Sequence, residues 1–332
     1  MCRNIPIFIL LASTIALVSP TVRADETGSM MADAARRFIA ALDEKQKSQA
    51  TFPFDSPERF NWHWIPRERK GVPIKNLTPE QRPLAFGLLA TGLSTKGLLK
   101  ASTIMSLEEI LRVEEAGRGP IRDPELYYVS VFGTPADEGE WGWRVEGHHL
   151  SLNYTLRSGK VVSVTPFQFG SNPALVKSGP RKGVRNLAAI DAPANELFLS
   201  LTPVQRTLAI VRDIAPEVTT TPNSAQPETT AREGIPVAQL TTAQHDVLTR
   251  LLHAYAENFP DPARSELIDR IDRGMLDAHF AWYGPADAAR NHAFRVQAST
   301  FLIDFNNTQN GTNHIHTFFR SVGGDFGQTA TF

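Results

Sequence analysis

Two pairs of histidines carry most of the chemistry that this sequence can offer. Asn313-His314-Ile315-His316-Thr317 sets two imidazoles two residues apart. Side chains on a β-strand alternate between its faces, so this spacing puts both rings on one side, within reach of one ion. The second pair lies in Arg144-Val145-Glu146-Gly147-His148-His149-Leu150-Ser151-Leu152-Asn153-Tyr154. On a regular strand His148 would share a face with Leu150, Leu152 and Tyr154, and His149 would share the other with Ser151 and Asn153. Only one of the two would then reach an ion held by His314 and His316, unless a bulge at Gly147 redirected the chain. Neutral imidazole offers a lone pair that zinc, copper or iron accepts. The candidate ligands are therefore His314, His316 and one or both of His148 and His149. Glu146 falls on the His148 face and is the candidate general base, because a carboxylate can take a proton from metal-bound water. Arg144 and Arg295 are candidates for holding an anionic substrate through bidentate contacts. Taken singly, His148 on an apolar face reads as a hydrogen-bonded core residue, and His314 and His316 as the lining of a polar pocket.

Other chemistry-bearing residues point less sharply. Arg67-Glu68-Arg69-Lys70-Gly71 is a basic turn that could hold a carboxylate or phosphate, although exposed charged turns are common. His63 stands between Trp62 and Trp64, near Phe60, which fits an aromatic-lined pocket or a small satellite core. His245 and His253 are eight positions apart and lack the i,i+4 spacing of a helical zinc pair. Asp325-Phe326-Gly327 has no accompanying phosphate loop, so a kinase reading fails. Neither G-x-S-x-G nor H-E-x-x-H occurs.

The N-terminus restricts the choice of ligands. Arg3, the apolar stretch from Ile5 to Val18 and Val22-Arg23-Ala24 have the three-part pattern of a secretory signal peptide, cleaved after Ala24. The apolar run is too short to span a bilayer. Cleavage removes Cys2, the only cysteine, and leaves 32 basic against 35 acidic residues, since Arg3 and Arg23 go with it. Thiolate ligands and disulfides are then excluded from the mature chain. Its near-neutral charge gives no electrostatic case for nucleic acid or an anionic membrane. The expected location is periplasmic or extracellular, away from nucleotide cofactors.

The elements that must position these residues can be read coarsely. Leu77-Thr78-Pro79-Glu80-Gln81, Leu201-Thr202-Pro203-Val204-Gln205 and Leu240-Thr241-Thr242-Ala243-Gln244 share a helix-start pattern in which threonine and glutamine satisfy each other's backbone N–H. Their irregular spacing reads as punctuation and not as a repeat array. Val247, Leu248, Leu251, Leu252 and Tyr255 give the helix after Thr241 one apolar face. Ser106 to Glu109 reads as another capping box, opening a helix through Leu111. Strand signals concentrate in Tyr127 to Phe132, Trp141 to Leu156 and Val161 to Phe169, and again in His279 to Tyr283, Ala293 to Phe305 and His314 to Val322, with Ser158-Gly159 as a hairpin turn. Short connections favour antiparallel pairing. A Thr/Pro-rich stretch, 216–236, fits either a linker or a long surface loop. The expected architecture is α+β, an antiparallel sheet with helices packed against it, in one large domain over 25–332.

Several long blocks resemble the bacterial family catalogued as domain of unknown function 3500. They are Tyr127-Tyr128-Val129-Ser130-Val131-Phe132-Gly133, the Trp141 to Asn153 run, Phe280-Ala281-Trp282, Thr300 to Asn310, Asn313-His314-Ile315-His316 and Gly324-Asp325-Phe326-Gly327. The resemblance covers most of the mature chain and implies no particular activity. The residues themselves point first to an exported metal-dependent enzyme with a zinc, copper or iron centre and a small-molecule substrate, a hydrolase by default and oxidative if the metal is copper or iron. Two other readings stand beside it: a non-catalytic protein binding a metal or small ligand, and a metal-free hydrolase or carbohydrate-binding protein using Trp62, Trp64, Trp141 and Trp143.

Overall fold

A computed structural model describes residues 26–217, 224–287 and 289–328. The proposed signal segment lies outside the described residues. Sequence runs rich in aromatic and β-branched residues form strands β1 (Thr51–Phe52), β2 (Val72–Pro73), β3 (Tyr128–Gly133), β4 (Glu140–Gly147), β5 (Leu150–Arg157), β6 (Lys160–Ser163), β7 (Phe167–Ser171), β8 (Ile210–Arg212), β9 (Ile235–Pro236), β10 (His279–Tyr283), β11 (His292–Gln297), β12 (Phe301–Asn307) and β13 (Ile315–Ser321). The helices are α1 (Glu26–Ala41), α2 (Glu44–Ala50), α3 (Arg82–Gly92), α4 (Thr95–Glu114), α5 (Ala188–Ser200), α6 (Pro203–Ala209), α7 (Thr242–Ala256) and α8 (Ala263–Met275).

All the strands join one sheet, in the order β1-β3-β4-β5-β7-β13-β12-β11-β10-β8, with β2, β6 and β9 attached at β3, β5 and β10. The sheet is mixed and not purely antiparallel as expected, because β1 pairs with β3 and β8 with β10 in parallel. Each parallel step is spanned by helices, which supply the long crossover that parallel neighbours require.

That strand order is a palindrome, and the chain repeats itself across it. Arg144 pairs with Ser130 and Asn153, and Arg295 pairs with Ala281 and Asp304, a constant offset of 151 residues. β7 meets β13 at the centre, where Phe167 and Phe319 pair and stack with centroids 5.3 Å apart. Gly71-Val72-Pro73 and Gly234-Ile235-Pro236 lead into the Thr78 and Thr241 boxes respectively. The side-chain amides of Gln46 and Gln81 bond each other at 2.9 and 2.8 Å, as those of Gln205 and Gln244 do at 2.9 and 3.0 Å. Two of the three shared helix-start motifs are thus equivalent positions of a duplicated unit, and the reading of them as mere punctuation is corrected. The third, Thr202 with Gln205, matches Asp43 with Gln46, a capping box built with aspartate.

Helices cover one face of the sheet. Trp143, Val145, Leu150, Leu152, Tyr154, Phe167, Ile315 and Phe319 point into the core beneath them. Alternation then sends Arg144, Glu146, Ser151, Asn153, Asn306, His316 and Arg320 to the opposite face. The segment around a short 3-10 turn, Pro57–Phe60, covers part of that face, with Trp62 and Trp64 in a satellite core with Phe318 and Phe326. The Thr/Pro-rich stretch also packs on the fold in its described part: Ser224 accepts from Arg320, and the Thr230 carbonyl accepts from Gln297. Ser106 does not open a helix. α4 starts twelve residues earlier, where the Ser94 hydroxyl caps the N–H of Gly97, and runs uninterrupted through Ser106.

Candidate metal centre

The Trp141 to Leu156 run is not one strand. Gly147 of β4 pairs with Leu150 of β5, leaving His148 and His149 as a two-residue hairpin turn. Tight reversal requires a left-handed residue, and His149 supplies it at φ 62°. For a residue with a Cβ this conformation costs about 1–2 kcal/mol. Backbone bonds hold it there: His149 N–H donates to the Trp64 carbonyl at 2.9 Å, and Gly170 N–H donates to the His149 carbonyl at 2.7 Å. The expectation that the two rings diverge to opposite faces is therefore overturned. At the turn they stack, with centroids 3.7 Å apart and planes 29° from parallel.

His149 lies over the loop-covered face, where β13 brings the other pair. His316 sits opposite Gly170 in the β7–β13 ladder, and His314 immediately precedes β13. His149 Nε2 is 2.8 Å from His314 Nε2 and 3.1 Å from His316 Nε2. Two nitrogens each ~2.05 Å from one ion lie about 2.9 Å apart at a right angle and about 3.3 Å apart at a tetrahedral angle. The observed separations of 2.8 and 3.1 Å fall on either side of the right-angle value. His148, His149 and His314 each offer a ligand atom within 4.8 Å of the others. That limit is wider than the roughly 4.2 Å that any two nitrogens on one ion can span. The short contacts therefore favour His149, His314 and His316 as the inner set, with His148 beside them.

Outer contacts orient two of the rings. His316 Nδ1 faces the Asn306 side-chain oxygen at 3.1 Å, so Nδ1 holds the hydrogen and Nε2 presents its lone pair. His148 Nδ1 donates to Glu108 Oε1 at 2.5 Å. Such partners fix the tautomer of a metal-ligating histidine. Arg122 approaches His148 Nδ1 at 3.1 Å while its other nitrogens bond both oxygens of Glu115 at 2.8 Å. Burial, with neighbouring histidines adding to it, holds His149 and His316 well below the usual histidine range; His314 is brought down to about 4 by burial, His148 and Arg122. All three are neutral at pH 7, the state in which imidazole binds a cation.

The structure does not bring the other candidate residues to this cluster. Glu146 is buried on the loop-covered face, where Oε2 accepts from the His63 N–H at 2.9 Å and Oε1 lies 3.2 Å from Arg144. Burial raises its carboxyl above the ordinary range. Arg144 is fully buried and donates to the Glu58 carbonyl and carboxylate at 2.9 and 2.8 Å. Arg295 lies at the equivalent place in the other half and holds both oxygens of Asp304, at 2.8 and 3.1 Å. Both arginines serve a scaffold position. Trp62, Trp64, Trp141 and Trp143 are each buried, so they form no open aromatic platform. Asp325 is bonded by Arg320 and by the Ser321 N–H.

The carboxylate that does touch the histidines is Glu108, which sequence reasoning missed. It lies at helical spacing with Ile104 and Leu111 on the buried face of α4, and a carboxylate on an apolar stripe was the available signal. Beyond His148 and Glu108 opens a cavity of about 270 Å³.

The family model described as a protein of unknown function (DUF3500) matches residues 24–328 of this chain. No curated protein and no solved structure matches it.

Proposed function

We propose, for a chain that belongs to the DUF3500 family over nearly its whole length, an exported metal-dependent enzyme whose ion is held by His149, His314 and His316. The observation that carries this reading is the approach of the neutral His149 Nε2 to two other neutral imidazole nitrogens, His314 Nε2 at 2.8 Å and His316 Nε2 at 3.1 Å. One N–H on His149 Nε2 cannot serve two acceptors well, whereas one cation serves all three. Duplication adds a second support. The equivalent hairpin turn of the other half consists of Ser299 and Thr300, so the fold does not need histidines there.

The donor set is all imidazole, which suits zinc, copper or iron over magnesium or calcium. A bound ion would supply Lewis acidity and an activated water, so hydrolysis is the default class, with oxidative chemistry open to copper or iron. Within the chain, Glu108 orients His148, Asn306 orients His316, and the Trp64 and Gly170 backbones hold His149 over the site. Glu108 replaces Glu146 as the carboxylate closest to the chemistry. Export rests on the secretory signal pattern of Arg3, Ile5 to Val18 and Val22-Arg23-Ala24. The cavity beyond His148 gives room for a small-molecule substrate near the cluster, which supports an enzyme. Metal analysis of untagged protein tests the reading. About one equivalent of zinc, copper or iron, lost in His316→Ala without loss of fold, is expected. A metal-free protein that takes up none of these ions refutes it.

A further inference from the structure

We infer that the cavity of about 270 Å³ beside His148 is a binding chamber for a small organic anion, a carboxylate or phosphate carried on an apolar body, with Arg67 as the group that receives the charge. This deepens the metal-enzyme reading, and rests on it only for what happens to the bound molecule.

The chamber has three kinds of wall. Pro66, Pro120, Ile121 and Leu126 present apolar surface. His148 and Glu108 form the side toward the histidine cluster. The basic turn supplies the third side through Arg67 and Arg69.

Charge pairing decides what the chamber wants. Two acids on the wall are already engaged, Glu108 by His148 and Asp123 by Lys75 at 2.6 Å and by the Glu125 N–H. The third, Glu68, is exposed, as its neighbour Arg67 is, and no ion pair joins the two. The arginines are held mainly by neutral acceptors. Arg67 donates to His63 Nε2 at 2.9 Å and to the Glu68 carbonyl at 3.3 Å. Burial and the charges of Arg67, Arg69 and Arg144 bring His63 down to about 4, so the ring is neutral and accepts from Arg67 while supplying no negative charge. Arg69 spends its terminal nitrogens on the carbonyls of Arg67, Ile65 and Gly147, with the nearest carboxylate oxygen, on Glu146, 3.9 Å from Nε. Arg69 thus braces the turn, and among the described residues no carboxylate pairs with the guanidinium fork of Arg67. An oxyanion is the complementary group for such a fork.

Benzoate and phenyl phosphate are suitable probes, with benzamide as the uncharged control. Calorimetric titration of the full chain would compare the wild type, Arg67→Gln, and Arg37→Gln on the outer surface of α1. Saturable binding of either anion, weakened about tenfold or more in Arg67→Gln and unchanged in Arg37→Gln, is expected, with benzamide not binding. The tighter of the two probes assigns the class as carboxylate or phosphate. No binding of either anion, or binding indifferent to Arg67→Gln, overturns the inference. Repeating the titration with His316→Ala separates it from the metal reading. Arg67-dependent binding that persists there supports the chamber even if no metal is ever taken up, and zinc uptake without Arg67-dependent anion binding sinks the chamber alone.

Discussion

Replacing Gly170 with alanine should disable the proposed metal centre without removing any of its proposed ligands. Gly170 lies opposite His316 in the sheet and directly under the His149 ring. A Cβ there would fall 2.7 Å from His149 Cδ2 and 2.9 Å from both His149 Cβ and Gln168 Nε2. Ordinary contact begins near 3.4 Å, so the ring must retreat by about 0.7 Å. Metal–nitrogen distances tolerate only about 0.2 Å. The expected loss in zinc affinity is at least the ~10–100-fold seen when outer-shell partners are changed. Overpacking should cost about 1–3 kcal/mol of folding stability. Affinity would be measured by competition with a chromogenic chelator, and stability by urea unfolding of the metal-free protein. Gly87→Ala is the control, because a Cβ at that α3 position meets nothing within 4 Å. His149→Gln, which removes the nitrogen without adding bulk, should reproduce the affinity loss. A folded Gly170→Ala protein with zinc affinity within about twofold of wild type would show that His149 does not bind the ion as argued.

Arg144→Met should cost up to about 3–5 kcal/mol in urea unfolding, because it removes the nearest cation from buried Glu58 and Glu146 and leaves only Lys70 and Arg69, each 3.9 Å away, while zinc stoichiometry stays at the wild-type value. A loss of metal in folded Arg144→Met would argue instead for a role in the centre. Glu108→Gln should weaken zinc by about tenfold through misorientation of His148, less than His149→Gln does; equal losses would mean that His148 is an inner ligand. Metal-free protein should lose stability on acidification. His63 and His314 are both at about 4 when folded and near 6.5 when unfolded, so the unfolded chain takes up protons first. Their contribution is complete above about 6.5 and falls away as pH drops toward 4. A urea midpoint that stays flat from pH 7 to pH 4.5 contradicts the assignment.

Much of the site was legible because a strand's two-residue period is rigid. His-x-His needed only that period to be placed correctly. His148-His149 was misread for an equally physical reason: Trp141 to Leu156 is an almost unbroken series of strand-formers, with no Asn-Gly or Asp-Gly to mark a reversal. The left-handed position fell to a histidine, which neighbouring backbone bonds hold in place. Glu108 was hidden by reading Ser106 as a helix start, which placed the glutamate in a first turn and not on a buried stripe. The duplication was also readable in Gly71-x-Pro73-x-x-x-Leu77-Thr78-x-x-Gln81 and its counterpart from Gly234 to Gln244. It was obscured because Thr202 and Gln205 repeat the same local motif at a different place in the unit.

That duplication supplies an internal control for the functional argument. At one pair of equivalent positions both halves keep arginine, Arg144 and Arg295, and both arginines are neutralised by acids; this is what a scaffold requirement looks like. At the adjacent hairpin the halves diverge. Ser299 and Thr300 close the turn on one side, where the Thr300 hydroxyl donates to the Arg270 carbonyl at 2.8 Å. On the other side His149 takes a left-handed conformation that Thr300 does not share. Strain that one half avoids and the other retains beside converging imidazoles fits a position kept for function. A His148→Ser, His149→Asn double variant turns this into a test, since asparagine tolerates the left-handed region better than threonine. It should fold with a metal-free urea midpoint close to wild type and bind no zinc. A large loss of stability in the metal-free state would mean that the histidine pair is needed to build the turn, and the contrast between the halves would then say nothing about function.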